Sequence, residues 1–171
     1  MSREFEISIE PIQPVDRATP GSTAYHEAVH TVAAILTGSH VMEASKVPGS
    51  GYWGSTELDG FNPIAFVAAH AMGCSGTGHD VSVLVSQGHD PNLLAGEARS
   101  LLAYHKDEIN AVASLIESRG TISGHEAVLA MNRAINPEAK VRIIDPLGNE
   151  RHFVTKIRKN WVGGQTQFVP K

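Results

Sequence analysis

Two histidines and a glutamate stand in the run His26-Glu27-Ala28-Val29-His30, and their spacing is the most specific chemical signal in the chain. On a helix, residues four apart share a face, so both imidazoles point off one side. Two ring nitrogens placed in that way suit one tetrahedral Zn²⁺, each at about 2.0 Å. Glu27 lies about 100° round the helix from His26. It can reach a water polarised by the metal, and take its proton, without being a ligand itself. Two ligands and one base on a rigid element are what metal-assisted attack on a carbonyl requires.

A catalytic zinc needs a third protein ligand and one open position. The metzincin continuation fails, because Ala33 and Leu36 stand where a glycine and a third histidine are required. Glu57 and Glu97 are candidates of the thermolysin kind. Asp90 is preferred: it follows a loop that can bend toward a metal and opens a helix at Asp90-Pro91. The competing role for Asp90 is plain helix capping.

The elements that must position these groups follow from local signals. Pro20-Gly21-Ser22-Thr23 opens the motif helix, with Ser22 or Thr23 as cap, and Gly38 ends it near Thr37. Val41 to Val47 and Tyr52 to Leu58 read as a hairpin round Pro48-Gly49-Ser50-Gly51. Asn62-Pro63 starts an apolar helix to Met72. Residues 73 to 90 read as Gly-rich and irregular, with Gly-His-Asp at 78–80 and again at 88–90. Further helices are expected from Asp90 to Tyr104, from Asp107 to Arg119, and from the capping box Ser123-Gly124-His125-Glu126 to Ala134. The first residues read as a short strand or arm. Lys140 to Pro170 alternates round Pro146-Leu147-Gly148-Asn149 as a C-terminal hairpin. The pattern is α+β and mainly helical, with small β-hairpin elements, and reads as a single domain over 1–171.

Composition bounds the rest. The chain has 171 residues, with 42% hydrophobic and 19% charged, as globular chains do. Net charge is −4 and pI is near 6.1, which makes no electrostatic case for nucleic acid or an anionic membrane. Cys74 is the single cysteine, so no intramolecular disulfide forms. The N-terminus lacks a signal-type apolar core, and no apolar run approaches membrane-spanning length. A cytoplasmic protein is the expectation, with no nucleic-acid or membrane partner and an open oligomeric state.

Ala24-Tyr25-His26-Glu27-Ala28-Val29-His30-Thr31-Val32 resembles the peptidase helix of the FtsH-type AAA zinc proteases, close to A-x-H-E-A-G-H-A. Ser86-Gln87-Gly88-His89-Asp90 resembles that family's S-x-G-x-x-[ND]-D segment, and Ile109 to Ile116 through Gly124-His125-Glu126 its late helical pair. The resemblance covers about residues 22 to 134. It implies a zincin-like peptidase fold with zinc on His26, His30 and an aspartate. Ungapped alignment puts Asn92 at the aspartate position, a short deletion brings in Asp90, and Asp80 is a further candidate. Val29 stands where the family has glycine. The ATPase and membrane helices have no counterpart, which implies a stand-alone, ATP-independent peptidase domain with a C-terminal β-hairpin extension from 136 to 171.

The weaker signals have simpler roles. Gly73-Cys74-Ser75-Gly76-Thr77 lacks the final glycine of a nucleophile elbow and reads as a flexible loop near the site. Cys74 reads as a small buried residue. His79 and His89 flank the ligand candidates and read as surface histidines, with metal binding or oxyanion stabilisation as alternatives. His70 reads as a satisfied core residue and His125 as a first-turn residue. Arg151, Lys156, Arg158 and Lys159 read as a solvated strand face. The leading expectation is a zinc metalloendopeptidase acting on peptide or unfolded protein. The competing expectations are a catalytically inactive metal-binding interaction module of the same fold, and a zinc hydrolase of non-peptide amides.

Overall fold

The computed structural model describes residues 6–11, 21–135, 138–162 and 165–170. In chain order the elements are β1 (Glu6–Pro11), α1 (Thr23–Leu36), β2 (Val41–Ser45), β3 (Ser55–Leu58), α2 (Pro63–Ala71), α3 (Gly78–Ser86), α4 (Pro91–Leu102), α5 (Lys106–Arg119), β4 (Thr121–Ser123), α6 (Gly124–Ile135), β5 (Glu138–Ile144), β6 (Glu150–Val162) and β7 (Gln165–Pro170). The fold is α+β, with six helices and small antiparallel sheets among the described residues. None of these helices is long and apolar enough to cross a membrane.

The chain forms two compact units, residues 1–14 with 133–171, and residues 15–132. The first holds a four-stranded antiparallel sheet in the order β1-β5-β6-β7. The expected C-terminal hairpin is its centre. Asp145 closes the turn, accepting from the Leu147 and Asn149 amides at 2.9 Å each, while Gly148 takes φ of +87°. The N-terminal strand joins this sheet through Glu6↔Ile144 and Pro11↔Ala139. No local turn signal announces so distant a pairing, and the sequence pattern did not show it.

The second unit is built round α1. Ser22 caps this helix by accepting the Tyr25 amide at 3.1 Å. Ala24, Ala28, Val29, Val32 and Ala33 are fully buried, in one cluster with Val112, Ala113, Ile116, Ile122 and Ala127. The small residues of α1 let α5, α2 and β2 come close on several sides. A smaller core of Val67, Leu84, Ala95 and Ala98 joins α2, α3 and α4. Buried Asn62 accepts the Ala65 amide at 3.0 Å to cap α2. Its amide donates to Thr37 and Ser39, so the end of α1 is tied to the start of α2.

The 41–58 hairpin forms in shorter strands than expected, with a register shift between Val41 and Glu43. A third strand, β4, adds to β2 on the other side, leaving β3 at the edge in the order β3-β2-β4. The capping box at the start of α6 forms as expected: Glu126 accepts the Ser123 amide at 2.9 Å and the Ser123 hydroxyl accepts the Glu126 amide at 3.3 Å. Gly124 inside that box presses on β2 so closely that a Cβ there would overlap the Val41 carbonyl. Gly124→Ala is therefore expected to lower stability by about 1–3 kcal/mol, read from a denaturant midpoint. An unchanged midpoint would show that β2 and α6 part without cost.

The clearest departure lies in 73–90. The stretch expected to be irregular contains helix α3. Its sequence Gly-His-Asp-Val-Ser-Val-Leu-Val-Ser is rich in β-branched residues and opens on glycine, both poor helix formers. Thr77 gives it no side-chain cap, and Leu84 is its one fully buried side chain. Packing of that leucine against α2 and α4 stabilises what local propensity does not.

Candidate metal centre

His26 and His30 project from α1 as the motif spacing requires, and each ring is fixed by a backbone carbonyl. His26 Nδ1 donates to the Ser75 carbonyl at 3.0 Å. His30 Nδ1 donates to the Ala65 carbonyl at 2.6 Å. With Nδ1 carrying the proton, each Nε2 presents a lone pair. The two Nε2 atoms lie 2.9 Å apart. Asp80 Oδ2 lies 3.5 Å from the first and 3.4 Å from the second. Two lone pairs and a carboxylate oxygen brought this close repel one another unless a cation or a proton sits among them. Bonds of 2.0–2.1 Å at tetrahedral angles put ligand atoms about 3.3 Å apart, close to the two separations from Asp80 and longer than that between the two imidazoles. Imidazoles oriented by carbonyl acceptors are the usual second shell of a metal-bound histidine. The donor set of His26, His30 and Asp80 could therefore hold a metal ion, and its chemistry fits zinc.

Burial alone would raise the Asp80 carboxyl, but hydrogen bonds and charge from the two histidines outweigh it and hold the group far below the usual carboxylate range. Burial lowers His26, yet Asp80 and then Glu27 reverse this and leave it raised. The pocket thus favours a negative carboxylate facing positive charge.

Asp90, expected as the third ligand, does not join the histidines. It is exposed at the start of α4, where its carboxylate accepts the amides of Asn92 at 2.9 Å and Leu93 at 3.4 Å. It is the helix cap, and both amides share its Oδ1. Asp80 lies beside the histidines instead, because α3 brings the first Gly-His-Asp copy to α1. Glu57 on β3, Glu97 on α4 and Asn92 are exposed and lie outside the cluster of His26, His30 and Asp80.

Glu27 is 5% exposed and outside the ligand triangle. The Thr56 hydroxyl donates to its Oε2 at 2.9 Å, and the Thr31 hydroxyl donates to its backbone carbonyl at 2.7 Å. At Gly54 a Cβ would stand 2.8 Å from Glu27 Oε1 and 2.6 Å from Thr23 Cγ2, so only glycine lets this backbone close over the carboxylate. Burial pushes the Glu27 carboxyl up, and His30, Thr56 and His26 oppose it without cancelling it. A carboxylate held in this way binds a proton more readily than one in water, as a general base needs. Thr56 and Gly54 had no sequence signal of their own; they matter because β3 packs on α1. Thr56→Val removes the one side-chain donor to this buried carboxylate among the described residues. It is expected to cost about 1.5–3 kcal/mol, measured by chemical denaturation, with Thr56→Ser recovering most of it. Equal stability in all three would mean that Thr56 does not hold the carboxylate.

Other histidines sort plainly. His79 is exposed and lines the same cleft. His89 stacks on Phe61 at 5.7 Å. His125 lies in the first turn of α6, as expected. His70 is exposed rather than in the core, its ring 3.4 Å from the Thr77 hydroxyl. Cys74 is half-buried beside the cleft, where burial and Glu27 push its thiol up, which disfavours the reactive thiolate. Its loop reaches the centre through the Ser75 carbonyl, with Gly73 and Gly76 at positive φ.

Neither the protein-family models nor the curated protein sequences yield a match to this chain.

Proposed function

We propose that this chain is a zinc-dependent metalloendopeptidase with a zincin-like site, acting on peptide or unfolded protein without ATP. The observation that carries the reading is the convergence of His26 Nε2, His30 Nε2 and Asp80 Oδ2 beside a buried glutamate whose carboxylate is not in the ligand set. Bound there, zinc supplies a Lewis acid that polarises a scissile carbonyl and makes water acidic. His26, His30 and Asp80 would hold the ion. Glu27 takes the proton of the attacking water and passes it to the leaving amine. The Ser75 and Ala65 carbonyls keep both imidazoles in the ligating tautomer.

The cleft supports a polymeric substrate. Ser55, Thr56 and Leu58 of the edge strand β3 line it together with the centre. An extended peptide can add to such an edge through main-chain hydrogen bonds. The likeness of the motif helix to FtsH-type peptidases agrees with this reading.

The test is incubation of the zinc-loaded chain with an unfolded polypeptide, with new N-termini identified by mass spectrometry. Internal cleavage that stops on chelation and returns with added zinc is expected. A zinc-loaded chain that cuts neither unfolded protein nor a peptide library removes the peptidase reading. Cleavage confined to small non-peptide amides would assign a different hydrolase, and no hydrolysis at all would favour the interaction module.

A further inference from the structure

The metal centre opens into a cleft of about 750 Å³, whose lining includes Tyr52, Trp53, Leu58 and Phe66. Trp53 is 80% exposed and Tyr52 51%. A single exposed tryptophan is ordinary, but this one is placed by three further features. The Gly49 amide donates to the Tyr52 carbonyl at 3.1 Å, and the Tyr52 ring lies over Gly49 where no Cβ would fit. Gly51 completes the turn with φ of +89°. On the other side, Gly54 is wedged against Thr23, Glu27 and the Ser45 carbonyl. Trp53 is thus held between a tight turn and the wall that carries the general base. The edge strand begins two residues later at Ser55, so a polypeptide paired along that edge passes the indole beside the centre. Apolar and aromatic walls round a few convergent polar groups are the usual build of a ligand cleft.

We propose that Trp53 and Tyr52 form a subsite for a large apolar side chain of an extended polypeptide. The occupant follows from the peptidase reading, on which the proposal rests, and the substrate is narrowed to segments carrying an aromatic or long aliphatic residue near the cleaved bond. The indole stays in water until that side chain covers it, and it offers a large rigid face at small cost in side-chain entropy.

The test uses the zinc-loaded Glu27→Gln chain, so that bound peptide is not consumed. Two fluorescently labelled peptides, identical but for a central Phe or Ala, are titrated by anisotropy. The Phe peptide is expected to bind roughly tenfold more tightly. Trp53→Ala in the same background is expected to bring it down to the Ala peptide, whose own binding stays unchanged. Trp53 is exposed, so its replacement leaves the fold intact. Equal binding of both peptides, or a preference for Phe that survives Trp53→Ala, overturns the subsite. The outcomes also separate it from the reading beneath it. A Trp53-dependent preference in a chain whose wild type cleaves nothing keeps the subsite and removes hydrolysis. Cleavage by wild type with no such preference does the reverse.

Discussion

Glu27→Gln is expected to keep about one zinc per chain and to lower kcat by about 10²–10⁴-fold, the usual contribution of a general base. Zinc should stay because Glu27 supplies none of the three converging donor atoms. The fold should stay because glutamine has nearly the same shape, and its amide oxygen can still accept from the Thr56 hydroxyl that now bonds Oε2 at 2.9 Å. The difference is confined to proton affinity, since an amide cannot take up the proton that a buried carboxylate takes readily. KM should change little, since Glu27 makes no bond that only the ground state needs. Metal analysis of the purified variant beside peptide-cleavage kinetics decides the matter. Retained zinc with near-normal turnover would exclude Glu27 as the base. Lost zinc would mean that the carboxylate also helps to hold the ion.

How far the sequence disclosed this site depends on which kind of signal each residue gives. The placement of His26, Glu27 and His30 was legible because it follows from spacing on one helix, and the cap and stop signals of that helix are local. The capping box at Ser123–Glu126 and the Asn62-Pro63 start were legible for the same reason. The choice of Asp80 over Asp90 as the aspartate beside the two histidines was not. Gly-His-Asp occurs twice, and the second copy precedes a proline, so Asp90 carries the stronger local signal. That signal is for a cap, and capping is what Asp90 does. Asp80 lies in the first turn of α3, a helix of valines and an opening glycine that forms through the packing of Leu84. Contacts of that kind are tertiary and leave no periodicity strong enough to read. The same holds for Gly54 and Thr56, which reach Glu27 across the β3–α1 packing, and for β1, which finds its partner far along the chain.

The two Gly-His-Asp copies give the sharpest test of the metal centre, because they offer one aspartate in each of two competing roles. Asp80→Ala should leave two imidazoles to hold the ion. Changes that merely reorient a ligand cost about 10–100-fold in metal affinity, and loss of a ligand should exceed that. Asp90→Ala should keep zinc at the wild-type level and instead lose about 1 kcal/mol of stability, the ordinary cost of an N-cap. The pair is measured by competition with a chromophoric zinc chelator and by chemical denaturation of each variant. Because the two effects fall on different axes, a general loss of folding cannot imitate the expected pattern. Zinc lost from Asp90→Ala and kept by Asp80→Ala would return the ligand to the start of α4 and require α3 to lie elsewhere. Zinc kept at full affinity by both would mean that the ion, if bound at His26 and His30, takes its third ligand from neither copy. The contacts of 3.4 and 3.5 Å from Asp80 to both Nε2 atoms, set against two amide hydrogen bonds at Asp90, favour the first pattern.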